Sequence, residues 1–327
     1  MPAEHPMSQY RQILVVVSPE MKQTPALRRA VALARKTGAR LELCLFDYHR
    51  GIAAVGVLQP QVMELAKTAF IAERERWLRE VALELSESGL QISANFVWGE
   101  PIVDQIVERV LRGQYDLVVK DMAEGSNRLS TLDRALVRLC PVPLLMVLNG
   151  HEGQHPCVLA AVDPKHDTQD HDSLNQRIVR AALALAYQCD GVVHLGHSYA
   201  GLPLLSTVDG WTSGAEFTRL YDMLRNTQQE SFTALADSLG VPKERRHSLS
   251  GEPFSEMPAL ARQIGASTLV VGSSYRQGLN RWLIGSTAAD ILDSAQCDVM
   301  VVKPQGFLED LAEHYGLGDV SELPQPT

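Results

Sequence analysis

The chain has no surplus of basic side chains: 39 acidic residues stand against 30 basic ones in 327, a formal charge of −9 at pH 7. That balance repels a phosphate backbone unless a local basic patch overrides it, and the sequence has no such patch. DNA, RNA and an anionic membrane surface are therefore disfavoured as partners. No apolar run approaches the roughly 18 residues that cross a bilayer, and Met1 to Arg11 is polar, without the basic-then-apolar layout of a signal peptide. Together these make a cytoplasmic location the expectation. The five cysteines, Cys44, Cys140, Cys157, Cys189 and Cys297, form no CxxC pair and lie mostly in or beside apolar runs. They read as reduced, buried thiols rather than as a disulfide framework or zinc ligands. A P-loop, a nucleophile elbow, an HExxH motif, paired catalytic carboxylates and a Ser-His-Asp order are all missing, so no catalytic residue is assigned and no enzyme activity is expected. His194 and His197 stand three apart on one expected strand and so point to opposite faces, which argues against a shared metal.

What is present is a repeat. Gly99-Glu100-Pro101 recurs as Gly251-Glu252-Pro253, a shift of 152 (251 minus 99), and each copy precedes a segment of helical periodicity. At the same shift Ala30, Leu33 and Ala34 map onto Ala182, Leu185 and Ala186, and Leu117-Val118-Val119 maps onto Leu269-Val270-Val271. At roughly 150 residues per domain, the length accommodates two copies, each able to bury a core. The expected division is residues 1–150, then 155–305, then an acidic, Pro-containing surface tail over 306–327, with Asn149 to Pro156 as linker.

Within each copy, β-branched runs of strand length alternate with longer amphipathic stretches, which predicts α/β domains with five-stranded, doubly wound parallel sheets. The first copy predicts strands near 13–17, 40–46, 91–96, 117–120 and 144–148, and helices near 25–37, 61–88, 102–112 and 129–139. The second predicts strands near 158–162, 192–197, 246–249, 269–272 and 299–302, and helices near 174–188, 217–239, 256–264 and 287–294. Residues Gly201 to Ala215 form a long Gly-, Ser-, Thr- and Pro-rich loop of a kind that is often functional.

The stretch that can hold a ligand follows the fourth strand of the second copy. Gly272-Ser273-Ser274-Tyr275-Arg276-Gln277-Gly278 leads through Leu279–Ile284 to Gly285-Ser286-Thr287 at the opening of a helix. Glycines let backbone N–H groups approach an anion, a helix N-terminus supplies unpaired donors and a partial positive charge, and hydroxyls add further donors. In open α/β sheets ligands sit beyond the carboxyl ends of the strands, where the turn carrying Asp163 also lies, placed to meet a base or ribose edge. Gly272, Ser273, Ser274, Gly278, Gly285, Ser286, Thr287 and Asp163 are the candidate ligand-binding residues, with Arg276 and Arg281 as secondary candidates for phosphate. The same residues also suit a tight strand-to-helix turn, an N-cap and solvated arginines.

In these residues the chain resembles the tandem universal stress proteins, most closely their E type, along nearly its whole length. The resemblance implies a doubly wound five-stranded sheet, a stress-response role and pairing of the two copies as an intramolecular pseudo-dimer through their fifth strands. Many single-domain members bind ATP, with magnesium, through a first-strand aspartate and a motif Gly-x2-Gly-x9-Gly-Ser/Thr. Asp163 matches the aspartate, Gly272 the first glycine, and Gly285 and Ser286 the last pair; the second glycine is replaced by Tyr275, whose side chain opposes close backbone approach. The first copy departs further: Ser18 replaces the aspartate, Lys120-Asp121-Met122 replaces the start of the glycine segment, and the loop is shorter. No ordinary nucleotide site is expected there.

The leading expectation is a stress-response protein whose second copy binds a nucleotide such as ATP or another phosphate-bearing small molecule. The alternatives are an interaction protein that holds no nucleotide, weak nucleotide hydrolysis, and an amphiphilic ligand covered by the loop from Gly201 to Ala215.

Overall fold

The computed structural model describes residues 10–56, 59–87, 89–122, 129–148, 156–164, 173–199, 214–273 and 286–317. The chain divides into two compact units, Met1–Glu152 with Gly306–Thr327, and Gly153–Gln305.

In the first unit the order is β1 (Gln12–Val17), α1 (Pro25–Thr37), β2 (Arg40–Asp47), α2 (Arg50–Val55), α3 (Pro60–Ser86), β3 (Ile92–Trp98), α4 (Ile102–Arg112), β4 (Leu117–Asp121), α5 (Thr131–Leu139) and β5 (Leu144–Val147). Its strands lie in the order β3-β2-β1-β4-β5, and each neighbouring pair is parallel. The second unit repeats the plan with β6 (Cys157–Ala161), α6 (Leu174–Gln188), β7 (Val192–Tyr199), α7 (Gly214–Ser238), a 3-10 turn Lys243–Arg245, β8 (Arg246–Ser250), α8 (Pro253–Gln263), β9 (Ala266–Gly272), α9 (Ser286–Ser294) and β10 (Asp298–Val302). Its strand order is β8-β7-β6-β9-β10, again parallel throughout. In each unit the direction of winding reverses between the first and fourth strands, β1 and β4 or β6 and β9, the place where such folds hold ligands.

The helix ends have local causes. Thr24 caps α1 ahead of Pro25, whose fixed φ suits the first helical position, and Gly38 ends it at φ 72°. Ser173 caps α6 by accepting from Gln176 N at 3.4 Å. α8 begins three residues earlier than the periodicity suggests, at Pro253, and runs through Pro258. Proline removes an N–H from the helix ladder; the Phe254 carbonyl that this leaves over accepts from Ser294 Oγ of α9 at 3.2 Å. Central strands are buried along nearly their whole length, as parallel strands covered on both faces must be.

Two elements differ from the sequence expectation. α2 is a single short helix between β2 and α3, too brief to leave a periodic signal. The segment after Pro304, expected as a surface tail, contains α10 (Phe307–His314), counted with the first unit, in which Phe307, Leu311 and Ala312 are buried. Tyr315 Oη donates to Asp104 Oδ1 at 2.8 Å, tying the end of this helix to α4. The acidic residues that suggested a solvated tail occupy only one side of an amphipathic helix.

Candidate functional site

In the second unit β6 delivers the chain to Asp163, and the first turn of α6 fixes it there. Asn175 is buried, and its side-chain amide brackets the aspartate backbone: Oδ1 accepts from Asp163 N at 2.9 Å and Nδ2 donates to Asp163 O at 2.8 Å. The backbone is held and the Asp163 side chain is left exposed. It borders a cavity of about 600 Å³ at the carboxyl ends of β6 and β9. Leu174, Ile178, Met257 and Ile291 supply apolar walls; Asn175, Ser198, Thr287 and Gln305 supply polar groups. Thr287, in the first turn of α9, puts the donor end of that helix on the cavity.

Gly272 lines the cavity for a packing reason. A Cβ there would stand 2.8 Å from Leu174 Cδ2 and 2.9 Å from Ile178 Cδ1, so α6 packs where a side chain would go. Ser273 is turned away. It does not line the cavity, is buried, and its hydroxyl accepts from the equally buried Lys303 ammonium at 3.1 Å. The expectation that Ser273 meets a ligand is thus replaced by a role in solvating Lys303, whose backbone carbonyl accepts from Arg177 Nε at 2.8 Å. Of the remaining candidates, Ser286 opens α9; Ser274, Gly278, Gly285, Arg276 and Arg281, with Tyr275, lie outside the described residues, as do residues 201–213 of the long loop. Sequence reasoning missed Asn175 and Ser198. Asn175 follows the N-cap Ser173 by two residues, and Ser198 stands near the carboxyl end of β7, a position the general rule for these folds marks as ligand-facing.

The first unit fills the corresponding place from within. Lys120, at the position of Gly272, reaches Asp133 Oδ1 at 2.7 Å and its neighbour's carbonyl, Asp121 O, at 2.9 Å. Asp133 is fully buried and also forms a capping box with Ser130 at the start of α5. Asp121 Oδ1 accepts from Ala26 N at 2.8 Å, so a carboxylate of the chain sits on the N-terminus of α1.

The histidines considered for metal part company as alternation requires: His197 stacks on Phe232 of α7, and His194 pairs with His247 of β8. Among the described residues, no three His, Cys, Asp or Glu side chains are placed to hold a metal ion.

Two doubly wound α/β domains in one chain, each with its switch point between first and fourth strands, define the class. The sequence profile of the Universal stress protein family matches residues 9–147 and again 158–303, and the chain belongs to that family. It is 29% identical over 307 residues to Universal stress protein E of Salmonella typhi, a match covering 92% of this chain and 96% of that one, and 28% identical to its counterpart in Escherichia coli K12 over the same shares. Among solved structures it resembles a functionally unknown protein from Pseudomonas aeruginosa PAO1, with a TM-score of 0.73 at 24% identity over 94% of this chain and 97% of that one. A universal stress protein from Archaeoglobus fulgidus gives a TM-score of 0.58 at 16% identity, covering 90% and 99%. These structures share the fold. No helix among the described residues is long and apolar enough to cross a membrane.

Proposed function

We propose that the protein is a cytoplasmic stress-response protein whose second unit binds a nucleotide, or another phosphate-bearing small molecule, without turning it over. The observation that carries this reading is the cavity at the β6/β9 switch point, bordered by Asp163 with its backbone pinned and by the first turn of α9. Asp163 suits a ribose or base edge, and the helix N-terminus suits phosphate. With ATP as ligand, magnesium would accompany the phosphates. Among the described residues, no base and nucleophile beside the cavity form a hydrogen-bonded relay, and the reading is one of binding. The first unit, with Lys120 and Asp133 joined at the corresponding place, has a structural role in this reading.

The apolar share of the walls, from Leu174, Ile178, Met257 and Ile291, favours a second reading, an amphiphilic ligand whose apolar part lies against α6 and α8. One experiment separates the two: mass spectrometry of small molecules released from freshly purified, denatured protein, with melting measured in added ATP and magnesium. At a hundredfold excess over Kd, a nucleotide should stabilise the native protein by about 2.7 kcal/mol. Asp163→Ala should abolish that gain. A released acyl compound with no response to ATP would transfer the assignment to the second reading; release of nothing and no thermal response would remove both in favour of an interaction protein.

A further inference from the structure

One sheet position carries opposite chemistry in the two repeats. At the 152-residue shift, Glu42, Asn95, Arg109 and Tyr115 correspond to His194, His247, Ala261 and Ser267 (194 minus 42, 247 minus 95, 261 minus 109, 267 minus 115). In the first unit the buried Glu42 carboxylate accepts from three donors: Arg109, Tyr115 Oη and, at 3.2 Å, Asn95 Nδ2. In the second unit alanine replaces the arginine, and two imidazoles replace the carboxylate and the amide. His194 of β7 and His247 of β8 lie with ring planes 10° apart, and His194 Nδ1 is 2.9 Å from His247 Nε2. At that distance one ring's N–H donates to the bare nitrogen of the other, which requires at least one neutral ring; two imidazoliums leave no acceptor between them.

Among the described residues, no negative charge acts on the pair. His194 shares a strand face with Gly196, against which Met257 and Leu260 of α8 are packed. The charged residues of α8 are Glu256 and Arg262, and neither acts on either ring. From the 3-10 turn Arg245 adds positive charge beside His194, while Lys243 and Glu244 are exposed. On β6, Cys157 is pushed up by burial and stays a neutral thiol. Arg246 alternates to the opposite face, where Asp237 of α7 holds it at 2.7 Å. Burial first, then His247 and Arg245, hold His194 below the ordinary imidazole value, and burial does the same for His247.

The same ladder reaches the cavity. His247 is in register with Gly196, and β8 runs on to Gly251, which donates its N–H to Tyr199 O at 3.0 Å and accepts from Ser198 Oγ at 2.5 Å. Ser198 and Pro253 border the cavity. We propose that the His194–His247 pair is an acid-sensitive latch holding the outermost strand β8 to β7, and that its release on acidification loosens the Ser198–Gly251 wall of the cavity. The second half of this proposal rests on the cavity being a ligand site; the latch itself does not.

Folded-state values below the unfolded value of about 6.5 mean that the fold favours neutral rings. Their contribution is therefore complete above that pH and is lost as pH falls through it. Each ring that is charged when unfolded but neutral when folded lowers the folding equilibrium about tenfold per pH unit.

The test compares chemical denaturation of the full-length protein from about pH 7.5 to about pH 5 with that of His247→Asn, which installs the residue the first unit uses, and of His194→Gln. The wild-type protein should lose stability more steeply than either variant, by about tenfold in the folding equilibrium per pH unit. Ring-proton NMR of the unmodified protein needs no variant to fold: both imidazoles should titrate below the ordinary value. Equal slopes in wild type and variants, or rings titrating at the ordinary value, would overturn the latch. As pH falls, amide protection factors should drop in β8 ahead of β6 and β9; a uniform drop would overturn the coupling to the cavity wall. None of these readouts needs a ligand, so failure of the latch is distinguishable from failure of the ligand assignment.

Discussion

Replacing Gly272 by alanine tests whether this glycine serves a ligand or the packing of α6. The added methyl would lie 2.8 Å from Leu174 Cδ2, 2.9 Å from Ile178 Cδ1 and 3.0 Å from Leu174 Cγ. All three belong to side chains in the first two turns of α6, so the helix or both rotamers must yield. Overpacking of this kind costs about 1–3 kcal/mol. For a unit of this size that is a fall of roughly 2–12 °C in the melting transition of the second unit. The assay is thermal and urea unfolding of Gly272→Ala, Ile178→Val and the double variant, without ligand. Ile178→Val deletes the Cδ1 methyl that the new Cβ would meet, so the double variant should be more stable than the sum of the single costs by at least about 0.5 kcal/mol. If Gly272→Ala keeps full stability and shows no coupling to Ile178, the packing argument is refuted. A loss of ligand binding in that variant would then report on backbone approach alone. Asp163→Ala is the cleaner ligand probe, because the Asn175 amide bonds go to the Asp163 backbone and survive the substitution.

Lys120→Ala should destabilise the first unit by about 3–5 kcal/mol, because it strands the fully buried Asp133 carboxylate; Lys120→Ala with Asp133→Leu should recover much of this, measured by urea unfolding. Phe307→Ala should cost about 3–5 kcal/mol, where a solvated tail would predict no change, since Phe307 is 2% exposed in α10. Burial pushes the Cys44 and Cys297 thiols up to about 12, which at pH 8 leaves thiolate on the order of one part in ten thousand. Both should resist an aromatic disulfide reagent until the protein unfolds, with the half-buried Cys157 reacting first; fast native labelling of either buried thiol would contradict their placement.

The fold was legible because it rests on short-range signals repeated twice. Buried parallel strands must be apolar on both faces, so runs such as Leu117-Val118-Val119 announce themselves. α1, α4 and α6 begin and end where Thr24, Pro101, Ser173 and the closing glycines or breaks in periodicity place them. What escaped was α2, one and a half turns with no buried residue, and α10, whose acidic face concealed Phe307 and Leu311. The first is too short for a periodic signal, and the second is fixed by contacts distant in the chain, such as Tyr315 with Asp104, which local composition does not report.

The neighbourhood of the candidate site was legible in the sequence but its detail was not, and the reason lies in how the repeats diverged. The switch-point rule grouped Asp163, Gly272 and Thr287, and all three line one cavity. It did not separate residues facing that cavity from residues beside it. Gly272 and Ser273 are consecutive, so on a strand end they point to opposite sides, and Ser273 met Lys303 instead of the cavity. The same comparison read across the repeats is more informative than either copy alone. Where the second unit has Gly272, the first has a lysine tied to Asp133; where the first has Glu42 surrounded by donors, the second has two imidazoles sharing one proton. In one chain the duplication thus yields one repeat that answers Lys120 with Asp133 and Glu42 with Arg109, and another that has a cavity and a pair of imidazoles at those positions. On the functions proposed above, the second unit keeps the groups that a ligand and a proton would meet, while the first commits the same positions to an ion pair and a hydrogen-bonded carboxylate.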